Sequence, residues 1–199
     1  MEQIVVPFRG ASGKRRLDVP DEFRSELALA MLGDVLSACV AVGRTLLVAA
    51  DDAACALALD LGAEIVDDPG GGQGAAVAGA LELVQDLPVL VVNADVPCVV
   101  PHDVHTLAGV AELGALGIVE AEDGTTNALA LPRPLLFAPL YGAGSAERFR
   151  SHAEANGVTV IASVIPNLAD DVDTLEDLTR IGLRAGPRTQ AAIGQLAAL

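Results

Sequence analysis

Pro88-Val89-Leu90-Val91-Val92-Asn93-Ala94-Asp95-Val96-Pro97 holds four consecutive aliphatic residues, three of them valine, closed by a polar turn. A continuous apolar run of that length, without polar alternation, predicts a strand buried on both faces, the kind found at the centre of a parallel sheet. The sequence on either side repeats the theme. Upstream, residues 3–8 read as a strand. Residues 21–42 read as a helix, with Phe23, Leu27, Met31 and Val35 as an inward stripe. Residues 45–50 form a second strand ending at Asp51-Asp52, followed by an alanine-rich helix to Leu61 and a short strand over 63–66. Pro69-Gly70-Gly71-Gly72-Gln73-Gly74 then opens a helix running to about Gln85. Downstream the pattern predicts a helix over 102–113, strands near 115–120 and 126–131, a helix about 145–156, a strand over 158–165, and a final helix over 174–183 with a short tail. This alternation implies an α/β fold with a mainly parallel central sheet flanked by helices. With no internal repeat or linker, residues 1–199 are expected to form one domain.

The chain carries a formal charge of −15, is 52% hydrophobic and only 3% aromatic, so its core must be aliphatic. Such a balance argues against nucleic acid and against anionic membrane surfaces as partners. No run reaches transmembrane length and no apolar leader opens the sequence, which predicts a cytoplasmic protein. Cys39, Cys55 and Cys98 are widely spaced and read as small core residues. The aliphatic surplus would allow a homodimer.

In sheets of this class ligands gather beyond the carboxyl ends of the strands. The basic loop, Asp51-Asp52, the glycine cluster and Asp95 all follow strands and so fall on that edge, and four features of the chain carry chemistry. First, Arg9, Lys14 (the only lysine), Arg15 and Arg16 crowd a glycine-containing loop after the first strand of an acidic chain. That loop suits an anion such as phosphate, or is a solvated basic turn. Second, Asp95 stands just past the buried strand, either as a turn residue or as a cation ligand. Third, Asp171 and Asp173 in Asp170-Asp171-Val172-Asp173-Thr174 point the same way if the backbone is extended, and carboxylate oxygens are what magnesium selects. Asp173 or Thr174 as a helix cap, with Glu176 and Asp177 in the first turn, is the bland alternative; it leaves Asp171 unexplained. Fourth, Thr125-Thr126-Asn127 and Tyr141-Gly142-Ala143-Gly144-Ser145 offer hydroxyls, amides and a helix start, suited to a carboxylate or phosphate or to ordinary turns.

Taken in order, the basic loop, the glycine loop, D-x-P, T-T-N-A-L, Y-G-x-G-S and D-V-D-T-x-E-D-L resemble the 2-phospho-L-lactate guanylyltransferases of coenzyme F-420 biosynthesis, over about residues 3–183. Actinobacterial members of that family can use phosphoenolpyruvate. The resemblance implies a Rossmann-like nucleotidyltransferase fold of the glycosyltransferase-A type. Its nucleotide-binding half would span about residues 1–100 and its acceptor-binding half about 101–185. It implies Mg²⁺ held by Asp95, Asp171 and Asp173, GTP phosphates met by Lys14 and Arg16, guanine and ribose near Gly72 and Gly74, and a three-carbon phospho-acid at Thr126, Gly142 and Ser145. Catalytic weight would fall on Lys14, Arg16 and Asp95, with GMP transferred to the acid and pyrophosphate released. Three positions depart from the pattern: Phe8 where a further lysine is common, Gln73-Gly74 in place of Leu-Asn, and Phe149 where histidine is frequent. The rivals are a molybdenum-cofactor guanylyltransferase or sugar-nucleotide pyrophosphorylase, whose longer loop is missing here, and a non-catalytic nucleotide-binding protein on the same scaffold.

Overall fold

Aliphatic segments pair into one sheet in the computed structural model, which describes residues 2–10, 17 and 19–196. Strands β1 (Glu2–Pro7), β2 (Gly43–Ala49), β3 (Glu64–Asp67), β4 (Val89–Val92), β5 (Leu116–Glu120), β6 (Thr126–Leu131) and β7 (Val160–Ala162) lie in the order β3-β2-β1-β4-β6-β5-β7. Every neighbouring pair is parallel except β4–β6 and β5–β6, so β6 alone runs backwards among the described strands. The reversal has a functional consequence. It brings the start of β6, not its end, to the edge where β1, β2 and β4 finish.

Side-chain alternation divides the sheet into two packed faces. Ile4, Val6, Leu90, Val92, Ala128 and Ala130 point to one face, under helices α1 (Asp21–Val40), α2 (Asp52–Leu61) and α4 (Pro101–Glu112). Val5, Val89, Val91, Leu129 and Leu131 point to the other, under α3 (Gln73–Leu81) and α5 (Ser145–Ala155). Sequence alternation inside an otherwise continuous apolar strand has no visible signature when both faces are covered. That is why β4 reads as an unbroken run.

A third apolar cluster lies outside the sheet. Phe23, Leu27 and Met31 of α1 pack there with Val172, with Leu178 and Ile181 of α7 (Leu175–Ile181) and with Ala192 of α8 (Pro187–Leu196). The stripe of α1 is therefore buried as expected, but its first three members face the C-terminal helices; only Val35 faces the sheet. The tail expected after residue 183 is in fact helix α8. A short helix α6 (Pro166–Ala169) also appears, while α3 ends at Leu81 and β7 is confined to Val160–Ala162.

Asp34 fixes α8 in place. Its buried carboxylate accepts the backbone N–H groups of Arg188 (3.1 Å) and Thr189 (2.8 Å), satisfying two of the orphan donors at that helix start from a site 154 and 155 residues away. Gly186 has no room for a side chain beside it: a Cβ would lie 2.3 Å from Asp34 Cγ. Gly186→Ala is therefore expected to destabilise the fold by about 1–3 kcal/mol through overpacking. Urea unfolding would measure this, and an unchanged midpoint would contradict the packing described.

Candidate active site

The polar residues that end β4 tie it to the start of β6 and to the first turn of α3. The backbone N–H of Asn93 donates to Asn127 O (2.9 Å), extending the antiparallel β4–β6 ladder one residue past the strand. Asn93 Nδ2 donates to Thr126 O (3.1 Å), and Gln73 Nε2, from the first turn of α3, donates to Asn93 Oδ1 (2.6 Å). On the other side of β6, Asn127 Nδ2 donates to Ala169 O (3.1 Å) and to Asp171 Oδ1 (3.2 Å). Gln73, Asn93 and Asn127 thus form a belt of amides along the sheet edge.

Asp95, Asp171 and Asp173 meet on that belt. All three are half-buried, and one carboxylate oxygen from each lies within 4.8 Å of the other two. Backbone contact sets the distance: Val172 N–H donates to Asp95 O (3.0 Å), and the Val172 side chain is fully buried in the third apolar cluster. With Val172 turned inward, its neighbours Asp171 and Asp173 are both turned back toward Asp95, as an extended D-x-D requires.

Thr174, not Asp173, caps α7. Asp177 N–H donates to Thr174 Oγ1 (3.2 Å), while Asp177 Oδ2 accepts from Thr174 N (2.8 Å) and Asp173 N (3.0 Å), closing a capping box. Burial alone would raise the Asp177 carboxyl. Hydrogen bonds from Arg180, from the Thr174 hydroxyl and from the two backbone amides outweigh it and hold the group at about 2. Asp173 is left with its carboxylate turned to the cluster. Behind it, Asp170 is gripped by Arg180 and Arg184, which keeps that acid out of the triad.

A cavity opens beside the triad, and a second adjoins it. A cavity of about 190 Å³ is bounded by Phe8, Arg9, Gln73, Asn93, Asp95 and Asp173. A larger one, about 510 Å³, is bounded by Arg9, Gly10, Asp51, Asp68 and Gly70–Gly72. Phe8, Arg9 and Gly10 line both. Gly72 sits in the left-handed region at φ 93°, so the loop turns sharply into α3. Gly74 does not line either cavity. It lets α3 approach Pro139, whose Cβ would be 2.7 Å from a side chain at that position. Lys14 and Arg16 lie outside the described residues, as does the rest of the loop over 11–16.

Thr126, Gly142 and Ser145 come together on the far side of β6. Ser145 Oγ donates to Thr126 Oγ1 (3.0 Å) with both residues buried, and Ser145 N donates to Gly142 O (2.9 Å). Arg148 spans the loop, donating to the carbonyls of Leu140 (2.8 Å), Tyr141 (3.3 Å) and Ala143 (2.5 Å). Arg150 is paired with Glu120 and Glu147, and the His152 ring bonds Leu136 O. The cationic side chains of α5 thus serve the loop and its surroundings. Phe149 is buried in a ring cluster with Phe137 (6.2 Å) and Tyr141 (5.3 Å), a core position rather than a cavity wall. Phe8 is also a core residue that walls both cavities, and its N–H continues the sheet to Val48 O.

Sequence reasoning gave Asn93 no role, and named Arg9 and Asn127 only as members of candidate segments, without a role of their own. The signal was present for the asparagines: each is a lone amide at the sheet-edge end of an apolar strand. Their partners are 20 to 44 residues away, which spacing does not encode.

A family model described as guanylyl transferase CofC-like matches residues 2–192. The phosphoenolpyruvate guanylyltransferase of Streptomyces scabiei is 36% identical over 97% of this chain and 96% of its own. Among solved structures, a protein assigned as a nucleotide-diphospho-sugar transferase of Desulfovibrio desulfuricans superposes with a TM-score of 0.77 at 17% identity, covering 100% of this chain and 96% of that one. A nucleotidyl transferase from a Methanothermobacter species gives a TM-score of 0.66 at 18% identity, over 91% and 95%. These two likenesses establish the glycosyltransferase-A-like nucleotidyltransferase fold.

The Asp177 capping box has a pH signature. A carboxyl held at about 2 in the folded chain, against an ordinary value of about 4 when unfolded, contributes stability that is complete above pH 4 and lost as pH falls through 2. Asp177→Ala should cost about 1 kcal/mol at neutral pH. In a series of urea titrations, the gap from the parent protein should shrink steadily below pH 4; a gap independent of pH would show that the carboxylate does not act as described.

Proposed function

The chain belongs to the CofC-like guanylyl transferase family, and we propose that it transfers GMP from GTP to the phosphate of phosphoenolpyruvate, releasing pyrophosphate, in coenzyme F-420 biosynthesis. One observation carries the reading: Asp95, Asp171 and Asp173 converge at the carboxyl edge of the sheet, where Asp95 and Asp173 line the smaller of two adjoining cavities. The name of the Streptomyces relative supports phosphoenolpyruvate over 2-phospho-L-lactate as acceptor. Free cysteines suit a reducing compartment, in keeping with a cytoplasmic enzyme.

The donor set fits magnesium. Three carboxylates present hard oxygen ligands within a few ångströms, with no sulfur or imidazole among them. When bound there, Mg²⁺ would offset the charge of the phosphates that meet at the site. Asp95 and the pair Asp171 and Asp173 would hold it from two different chain segments. Guanine is assigned to the larger cavity beside Gly72, within the half of the chain up to about residue 100, and Gly74 serves that end indirectly by seating α3. Arg9, shared by both cavities, together with Lys14 and Arg16 of the same loop, would receive the triphosphate. The phospho-acid is assigned to Thr126, Gly142 and Ser145 in the second half, about residues 101–185.

An oxygen of the acceptor phosphate attacks the α-phosphorus of GTP. The bond from that phosphorus to the bridging oxygen breaks, and its electron pair leaves with pyrophosphate. A phosphate monoester with a second pKa of about 6 is already largely ionised at neutral pH, so no protein base is needed. The chain's task is to align the two phosphates and offset their charge.

Pyrophosphate release should be measured with GTP and Mg²⁺, offering phosphoenolpyruvate and 2-phospho-L-lactate separately. Release dependent on phosphoenolpyruvate is expected. Asp95→Asn and Asp171→Asn should each lower the rate by about 100-fold or more while leaving the thermal transition in place. GTP binding without release with either acid would instead identify a non-catalytic binding protein.

A further inference from the structure

Gln73 belongs to no role assigned above, and it departs from the family pattern at its position. Its side chain nevertheless occupies the wall between the glycine loop and the acid triad. The orientation of its amide follows from the belt. Thr126 O can only accept, so Asn93 must turn its Nδ2 toward that carbonyl and its Oδ1 toward Gln73. Gln73 must then answer with its Nε2, at 2.6 Å. This leaves Gln73 Oε1 as an acceptor with no donor among the described residues, on a half-buried side chain that lines the smaller cavity.

An acceptor held in that orientation calls for a ligand group that donates. Ionised phosphoenolpyruvate and 2-phospho-L-lactate carry only hydrogen-free oxygens, so neither can supply one. GTP has donors on guanine and on the ribose hydroxyls. Gln73 does not line the larger cavity, which is walled by Gly70–Gly72 and to which the base is assigned above; the smaller cavity reaches the triad. Between base and α-phosphate lies the sugar. We infer that Gln73 is a specificity-determining residue that accepts a hydrogen bond from a ribose hydroxyl of the nucleotide, held in orientation by Asn93, so that the site distinguishes ribonucleotide from deoxyribonucleotide.

The inference rests on the nucleotide reading of the two cavities and is tested apart from the transfer reaction. Affinity for GTP, 2′-deoxy-GTP and 3′-deoxy-GTP is measured calorimetrically with Mg²⁺ on the parent protein, Gln73→Leu and Gln73→Ala, together with kcat/KM for pyrophosphate release. Neither substitution conflicts with the first turn of a helix, and thermal unfolding checks that both variants are folded. In the parent protein, loss of the contacted hydroxyl should weaken binding by about 3- to 10-fold, the range of one neutral hydrogen bond. In both variants GTP should weaken by a similar factor, and the penalty for the deoxy analogue should disappear. The two deoxy arms identify which hydroxyl is read. Equal binding of all three nucleotides by the parent protein would overturn the inference. So would a uniform loss across all three in the variants, since that is what a residue merely bracing Asn93 would produce. Ribose discrimination without pyrophosphate release would keep Gln73 in its role and overturn the transfer reaction alone. Failure of the parent protein to bind GTP would overturn both.

Discussion

Three carboxylates within 4.8 Å of one another do not gather unaided. At an effective dielectric of about 20, two like charges at that distance repel by about 3 kcal/mol. The opposing work is done by apolar burial. Val172, between Asp171 and Asp173, is driven into the cluster that also holds Met31, Leu178 and Ala192, and its N–H is bound to Asp95 O. The segment cannot swing away to separate its acids without exposing that valine and breaking that bond. A site assembled against its own repulsion in this way is one that a cation would stabilise.

The C-terminal helices follow from the same need. Residues 170–173 have no place in the sheet, so something outside it must form the floor beneath Val172. Helix α1 provides one wall because it is apolar on two sides, one toward the sheet and one toward α7 and α8. Asp34, on α1, reaches across to the start of α8, and Gly186 N–H donates to Pro97 O (2.8 Å), two residues beyond Asp95. The last helices are thereby tied to the turn that carries the first acid of the triad.

Phe8, Phe149, Gly74 and Gln73, the residues set apart in the sequence, take different physical forms. Phe8 and Phe149 are packing residues. One walls the cavities from the core and the other completes a ring cluster beneath the Tyr141–Ser145 loop. Gly74 is a steric requirement imposed by Pro139. Gln73 alone introduces a polar group into the cavity, which is why it invites a functional reading where the other three do not. The loop at Gly142 is likewise held from within, by Arg148 on its carbonyls, so its geometry does not wait for a ligand.

Local sequence determined the α/β class, the buried character of β4, the sheet edge at which ligands gather, and Asp95, Asp171 and Asp173 as acids worth attention. Each of these depends on composition and spacing over a few residues, where a strand's period of two or a helix's stripe is written directly. Helix α8 was not legible, because its apolar residues are sparse and its start is capped by Asp34, more than 150 residues earlier. The amide belt of Gln73, Asn93 and Asn127 was not legible either, since each amide looks like a turn residue until its partner is known. Nor does the sequence say that β6 runs backwards. Strand direction is settled by which apolar faces meet across the sheet, and that reversal is what places Thr126 and Asn127 beside the ends of β1 and β4. The residues of the site were thus written locally, while their meeting was decided by the burial of chain segments that carry none of the chemistry.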